Sequence, residues 1–134
     1  MRVEGFESVI FYVSSLTEAR GFYVGFLGLP ILFEDEIVVV LGGNTGRIVL
    51  HRNDKGHDER GVFPAGSAVS GTALRLSVAD PDAWEAEARS QRIPVLWPAQ
   101  EAAWGRFAVL RDPDDRPVVL ANMYGAPPIQ PNMP

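Results

Sequence analysis

The sequence contains no cysteine. Disulfide bonds, thiolate metal ligands and a cysteine nucleophile are therefore excluded from the chemistry of this chain. It also has no apolar run approaching the roughly 18 residues that a membrane-spanning helix needs. The first five residues lack the basic-then-apolar plan of a signal peptide. We therefore expect a cytoplasmic protein with no membrane partner.

Positive charge is also scarce. The chain has 12 Lys and Arg residues against 17 Asp and Glu residues, which gives a net charge of −5. Because binding to phosphates needs a basic face, we expect no nucleic-acid partner. A hydrophobic content of 46% and a charged content of 22% over 134 residues are typical of one ordinary globular domain. A small molecule is the partner that this composition favours.

The stretch from Ser15 to Leu29 predicts a helix over residues 15–27. Ser15 and Glu18 have the spacing of a capping box. Gly28 is placed to end the helix in a left-handed conformation, and Pro30 prevents it from restarting. One apolar stripe at helical spacing consists of Leu16, Ala19, Phe22, Tyr23 and Phe26.

Apolar and β-branched runs around this helix predict four strands, at residues 8–13, 31–34, 37–41 and 47–51. Residues 53–71 that follow are polar and rich in glycine. A stretch of this length without regular structure is typical of either a linker between units or a functional lid.

The pattern then repeats, because residues 73–80 match residues 8–15. Asp80 now takes the N-cap position and Pro81 the first helical position, where its missing amide costs nothing. We predict a second helix that ends near Gln91, strands at residues 93–97, 105–110 and 117–121, and a hairpin turn at residues 112–115. The chain therefore consists of two βαβββ modules.

Two segments carry a family resemblance. Residues 9–32 read VIFYVSSLTEARGFYVGFLGLPIL, and Trp104-Gly105 precedes Asp112-Pro113-Asp114 near the other end. Together they resemble the vicinal oxygen chelate superfamily, which includes glyoxalases, bleomycin-resistance proteins and ring-cleaving dioxygenases. The resemblance covers about residues 5–123. It implies the α+β class, with the two modules forming a curled eight-stranded mixed sheet around a cavity.

The same resemblance implies one vicinal-oxygen-chelate domain over residues 1–134. Module one covers about residues 5–53, a linker loop about residues 54–70, and module two about residues 71–123. Residues 125–134 hold four prolines and form a tail.

In the superfamily's enzymes, four strand positions hold a metal ion through His, Gln or Glu. The resemblance places these positions at Ser8, Leu50, Ala73 and Val119, none of which is a useful ligand. His51 is adjacent to Leu50, but a shift by one residue would place it on the other face of the sheet. We therefore expect no metal, no cofactor and no catalytic residue of the superfamily's usual kind.

Two alternatives remain open. His51 and His57 could rebuild a metal site with Glu36, Asp58 or Glu101, in a divergent glyoxalase-type or dioxygenase-type lyase or oxidoreductase. The other alternative is a non-catalytic module whose cavity has been filled.

Strand alternation places further residues on the expected cavity face, among them Ile10, Tyr12, Arg52 and Arg75. Arg75 is a charge in an apolar strand, so it needs a carboxylate from a ligand or from a subunit interface.

Three aromatic residues complete the expected cavity. Trp97 and Trp104 suit a planar ligand, although either could instead fill the core or a dimer contact. Phe63 could close over the cavity or anchor the long loop.

The sequence thus predicts a metal-independent, bleomycin-resistance-like homodimer that sequesters a partly aromatic ligand in a cavity between the modules. The homodimer is expected because one module leaves a sheet edge and a sheet face uncovered. The predicted ligand-binding residues are Ser8, Ile10, Tyr12, Leu50, Arg52, Phe63, Ala73, Arg75, Trp97, Trp104 and Val119.

Overall fold

A computed structural model describes residues 1–2, 4, 8–43, 46–53 and 73–124. These residues fall into two compact units, one within Met1–Ser67 and the other within Ala68–Pro128. Each unit has the element order of a βαβββ module. No helix in the described part of the chain is long and apolar enough to span a membrane.

Module one contains a four-stranded mixed sheet with the strand order β1-β4-β3-β2. Strands β1 and β4 are parallel, and the other neighbours are antiparallel. Its elements are β1 (Val9–Val13), α1 (Leu16–Arg20), a π-helical segment (Gly21–Phe26), β2 (Ile31–Glu34), β3 (Val38–Gly43) and β4 (Gly46–Arg52).

The first helix begins as the sequence predicts, because the backbone N–H of Glu18 donates to Ser15 Oγ at 3.1 Å. It does not remain α-helical to residue 27, since the backbone N–H of Leu27 bonds to the carbonyl of Phe22 at 2.9 Å in the wider π-helical pattern. The adjacent residues Phe22 and Tyr23 are both buried in this segment. Gly28 follows with φ of +74°, which confirms the predicted left-handed end.

The core of module one lies between α1 and one face of its sheet. Phe11 packs against Tyr23 of the π-helical segment, with ring centroids 6.1 Å apart. Its neighbours on that face are the buried residues Val13, Val39, Leu41 and Leu50.

Module two repeats the arrangement with the strand order β5-β8-β7-β6. Its elements are β5 (Leu74–Ser77), α2 (Pro81–Ser90), β6 (Val95–Ala102), β7 (Gly105–Arg111) and β8 (Pro117–Met123). The predicted N-cap is confirmed, because Asp80 Oδ1 accepts the backbone N–H of Ala83 at 3.2 Å. Strand β6 extends to Ala102, beyond the predicted end at Trp97, and Pro98 is tolerated because β6 is an edge strand.

Helix α2 covers one face of the second sheet. Arg106 projects from this face of β7 and binds Asp82 of α2. The fully buried residues here are Ala88, Ala108, Leu110, Val118 and Leu120. The predicted α+β class with two βαβββ modules is therefore confirmed, with the described strands in two four-stranded sheets.

Candidate functional site

The face of the second sheet opposite α2 carries a row of paired residues across all four strands. Arg75 of β5 pairs with Val119 of β8, which pairs with Val109 of β7, which pairs with Trp97 of β6. Paired residues project to the same side of a sheet. The expectation that Arg75 and Val119 share a face is therefore confirmed. We call this surface the open face of module two.

Three aromatic rings lie on this open face. Trp104, from the turn between β6 and β7, stacks on Phe107 with a centroid distance of 4.9 Å and an interplanar angle of 25°. Trp97 meets Phe107 edge-on at 6.3 Å. Arg75 completes the arrangement, because its Cζ lies 5.8 Å from the centroid of the Trp104 ring. The surface therefore presents a cation beside stacked aromatic rings.

Exposure separates the roles of these side chains. Phe107 is only 9% exposed and packs with Val109 and Ala121 in a small apolar cluster. Trp104 and Trp97 are 38% and 53% exposed, which is unusual for such large apolar side chains. Within the described residues Arg75 is exposed and forms no salt bridge. Its guanidinium therefore keeps donors that a bound anion could use.

The corresponding face of module one is apolar instead. Its row consists of Ile10, Val49, Val40 and Phe33, in register across the four strands. Next to this row, Tyr12 pairs with His51, and their rings lie 4.9 Å apart at 43°. The Nδ1 atom of His51 is 2.6 Å from the carbonyl oxygen of Arg52.

The register in module one corrects the expected strand faces. Leu50 pairs with Phe11, so it is buried on the α1 side and does not share a face with Tyr12. His51, which pairs with Tyr12, lies on the Tyr12 face instead. The error arose because the alignment of β4 was one residue out, and a one-residue shift moves every side chain across the sheet.

The predicted face of Arg52 is wrong for the same reason. It lies opposite Val13 on the α1 side, where its guanidinium donates to the carbonyl of Glu36 at 3.2 Å. There it lines a cleft of about 490 Å³. The salt bridge between Arg20 and Glu34 lies at the same cleft, and it lowers the pKa of the Glu34 carboxyl through a hydrogen bond.

Other predicted site residues have fewer described contacts. Ser8 is half-buried just before β1, and Ala73 is exposed just before β5. Phe63 lies outside the described residues. The roles of all these residues in ligand binding stay predictions.

The side chains at the four strand positions do not fit a metal ion. With the corrected register they are Ser8, His51, Ala73 and Val119, which supply one imidazole, one hydroxyl and two aliphatic groups. Stable transition-metal sites in proteins need three or four strong ligands. No group of three or more His, Asp or Glu residues that could hold a metal occurs in the described part of the chain. His57 and Asp58, from the alternative site, lie outside it.

Sequence reasoning missed two residues that support the tryptophans of the open face of module two. Phe107 supports both tryptophans, and its position two residues before Val109 on the same strand was the available signal. Tyr124 donates a backbone hydrogen bond to the Trp104 carbonyl at 2.9 Å. It follows the last predicted strand, and no sequence pattern marked it.

Comparison with known families gives one match. Residues 5–118 match the model of the Glyoxalase/Bleomycin resistance protein/Dioxygenase superfamily. No curated protein matches the chain in sequence.

Solved structures share the fold at low sequence identity. A protein of unknown function from Agrobacterium tumefaciens str. C58 is similar at 22% identity, with 90% of this chain and 95% of that chain covered and a TM-score of 0.74. TnmS3, an antibiotic binding protein from Streptomyces sp. CB03234, is similar at 22% identity, with 92% and 98% covered and a TM-score of 0.71. A lactoylglutathione lyase from Agrobacterium tumefaciens is similar at 17% identity, with 90% and 94% covered and a TM-score of 0.67.

Proposed function

The chain belongs to the Glyoxalase/Bleomycin resistance protein/Dioxygenase superfamily, and on that premise we propose that it binds a planar aromatic anion without a metal ion. The proposed site is the open face of module two. Sequestration of the ligand, rather than its chemical conversion, is the function that this site supports.

One observation carries the proposal, namely the position of the Arg75 guanidinium over the Trp104 ring, which itself stacks on Phe107. Flat aromatic surfaces favour offset stacking with a planar guest. A guanidinium presents a planar fork that matches a carboxylate or phosphate group. A ligand with an aromatic body and an anionic group would therefore use both features at once.

The width of the sheet sets the size of the ligand. Arg75 and Trp97 lie on the two edge strands, three strand spacings apart, which corresponds to about 14 Å between their backbones. Long side chains that lean inward shorten this gap. A single ring would not contact both residues, so the proposal favours ligands of two or three fused rings.

The comparisons give this proposal its context. TnmS3 is described as an antibiotic binding protein, so the same fold serves ligand binding in another chain. The lactoylglutathione lyase shows that the fold also serves an enzyme. The side chains at the four strand positions do not fit a metal ion, so they do not support the metal-dependent chemistry of the superfamily.

We expect naphthoate and anthracene carboxylate to bind more tightly than benzoate, and naphthamide to bind more weakly than naphthoate. Arg75→Ala is expected to weaken naphthoate binding about tenfold, because an exposed charge-assisted contact contributes roughly 1–2 kcal/mol. Trp104→Ala should weaken naphthoate and naphthamide alike. Isothermal titration calorimetry measures these affinities.

Arg89→Ala is the matched control for Arg75→Ala. Arg89 is an exposed arginine on α2 that pairs with Glu85, so its loss should leave the affinity unchanged. The proposal fails if Arg75→Ala binds naphthoate and naphthamide with the wild-type affinities while it remains folded.

We also propose that the protein is a homodimer. The row of Ile10, Val49, Val40 and Phe33 is an apolar surface whose ends are exposed in the single chain. Surfaces of this kind commonly mark protein–protein contacts. Sedimentation equilibrium at micromolar concentration should show a dimer for the wild type and a monomer for Phe33→Asp. A wild-type monomer would contradict this proposal.

A further inference from the structure

Trp104 lies in a two-residue turn between β6 and β7. Tyr124, which follows β8, forms hydrogen bonds to Trp104 in this turn and to Glu101 in β6. The backbone N–H of Tyr124 donates to the carbonyl oxygen of Trp104 at 2.9 Å. Its hydroxyl lies 3.0 and 2.9 Å from the two carboxylate oxygens of Glu101, the next-to-last residue of β6. Tyr124 therefore contacts both the strand that leads into the turn and a residue of the turn itself.

Arg106, on the other side of the turn, extends this network to the helix. Its Nη1 atom donates to Glu101 Oε1 at 3.2 Å, and its Nε and Nη2 atoms donate to both oxygens of Asp82. The bond to Arg106 lowers the pKa of the Asp82 carboxyl. The bond to Glu101 raises the pKa of the Tyr124 phenol. These shifts agree with a connected set of charge-assisted bonds from α2 through Arg106 and Glu101 to Tyr124.

We propose that Tyr124 is a positioning residue, whose hydroxyl bond to Glu101 fixes the turn so that Trp104 lies flat on Phe107 and beneath Arg75. This inference rests on the proposed function, since the placement of Trp104 matters to a ligand only if the open face of module two binds one. Tyr124 itself does not need to touch the ligand.

Because Tyr124 is exposed, the effect of its hydroxyl on the position of the Trp104 turn can be measured apart from any effect on overall stability. Its side chain is 52% exposed, so loss of the hydroxyl creates neither a cavity nor a buried unpaired group. The fold should therefore tolerate Tyr124→Phe. The Trp104 turn, in contrast, would lose the support of the hydrogen bond between Tyr124 and Glu101, and it would sample more conformations before a ligand binds.

Loss of preorganisation has a known scale. Ordering one flexible side chain on binding costs enough to lower affinity about twofold to tenfold. We therefore expect Tyr124→Phe to weaken naphthoate binding by about twofold to tenfold, with a melting temperature within about 1 °C of the wild type. Glu101→Gln should have a smaller effect in the same direction, because the amide oxygen still accepts one bond.

The free protein provides a test that needs no ligand. The chain has three tryptophans, so Trp84→Phe combined with Trp97→Phe leaves Trp104 as the sole tryptophan emitter. In this background Tyr124→Phe should raise the acrylamide quenching constant of Trp104 and shift its emission to longer wavelength. Arg89→Gln, which breaks the exposed pair with Glu85 on α2, is the control and should change neither.

The fluorescence test and the binding test distinguish failure of the positioning role from failure of the proposed function. Unchanged quenching and emission of Trp104 in Tyr124→Phe would overturn the positioning role, whether or not a ligand binds. A change in fluorescence with no binding of any aromatic anion to the wild type would leave Tyr124 as the residue that fixes the turn and overturn the proposed function. Changed fluorescence together with unchanged naphthoate affinity would overturn the link between the two.

Discussion

Replacing Asp112 with alanine is expected to lower the free energy of unfolding by about 3–5 kcal/mol, because it removes the carboxylate that pairs with a buried arginine. Asp112 and Arg116 are each only 3% exposed, and they form a salt bridge within the turn between β7 and β8. Asp112 Oδ1 also accepts the backbone N–H groups of Arg116 and Asp114, at 2.8 and 2.9 Å. One carboxylate thus satisfies a buried cation and two backbone donors.

Urea denaturation of single and double variants tests this prediction. Asp112→Asn keeps an acceptor for the backbone donors but loses the charge, so it should retain part of the stability. Arg116→Met removes the buried cation, so the combination with Asp112→Ala should cost less than the sum of the two single changes.

The exposed pair of Arg20 and Glu34 provides the comparison. Both side chains are more than a third exposed, so solvent screens their interaction and Arg20→Gln should change stability very little. Equal losses in Arg20→Gln and Asp112→Ala would contradict the role of burial.

Gly105→Ala is expected to lower the free energy of unfolding by about 2–4 kcal/mol, the combined effect of a steric conflict and a lost backbone hydrogen bond. A Cβ atom at this position would lie 2.3 Å from the carbonyl oxygen of Asn122 and 2.9 Å from Cα of Met123. Both obstacles are backbone atoms of the paired strand β8, so no side chain can move aside. Strands β7 and β8 must separate at the point where the turn with Trp104 ends and β7 begins.

The matched control is Gly25→Ala, since a Cβ atom at Gly25 meets no atom within 4 Å. Gly25 lies in the π-helical segment, and alanine there should leave the protein unchanged or slightly more stable. Thermal and urea unfolding measure both variants. Gly105→Ala with wild-type stability would show that the ends of β7 and β8 are free to separate.

Local signals in the sequence predict much of the fold. Ser15 and Asp80 cap their helices as expected, and Gly28 ends the first one with a positive φ. Each of these features depends on a few neighbouring residues, so a single sequence is enough to identify it.

The face of a strand depends on its register with a neighbour, which is not a local property. The prediction that Arg75 and Val119 share a face of the sheet was right, because these two residues are in register. In module one the alignment was one residue out, which exchanged the faces of Leu50 and His51. Nothing in the residues of β4 alone distinguishes the two registers, since apolar side chains occupy both faces.

Side-chain networks across the turns also could not be predicted from the sequence. Residues 112–115 were correctly predicted as a turn, yet the buried bond between the Arg116 guanidinium and Asp112 was not predicted. The support of Trp104 by Phe107 and Tyr124 likewise joins residues from three separate positions in module two. Spacing within one segment carries no information about such contacts.

The most direct test of the account is a calorimetric titration of naphthoate into protein stripped of metal by a chelator and checked by elemental analysis. The account predicts binding that is unchanged when zinc, nickel, manganese or ferrous iron is added, and that falls about tenfold in Arg75→Ala. Binding that appears only after a metal is restored, and that His51→Ala abolishes, would contradict it.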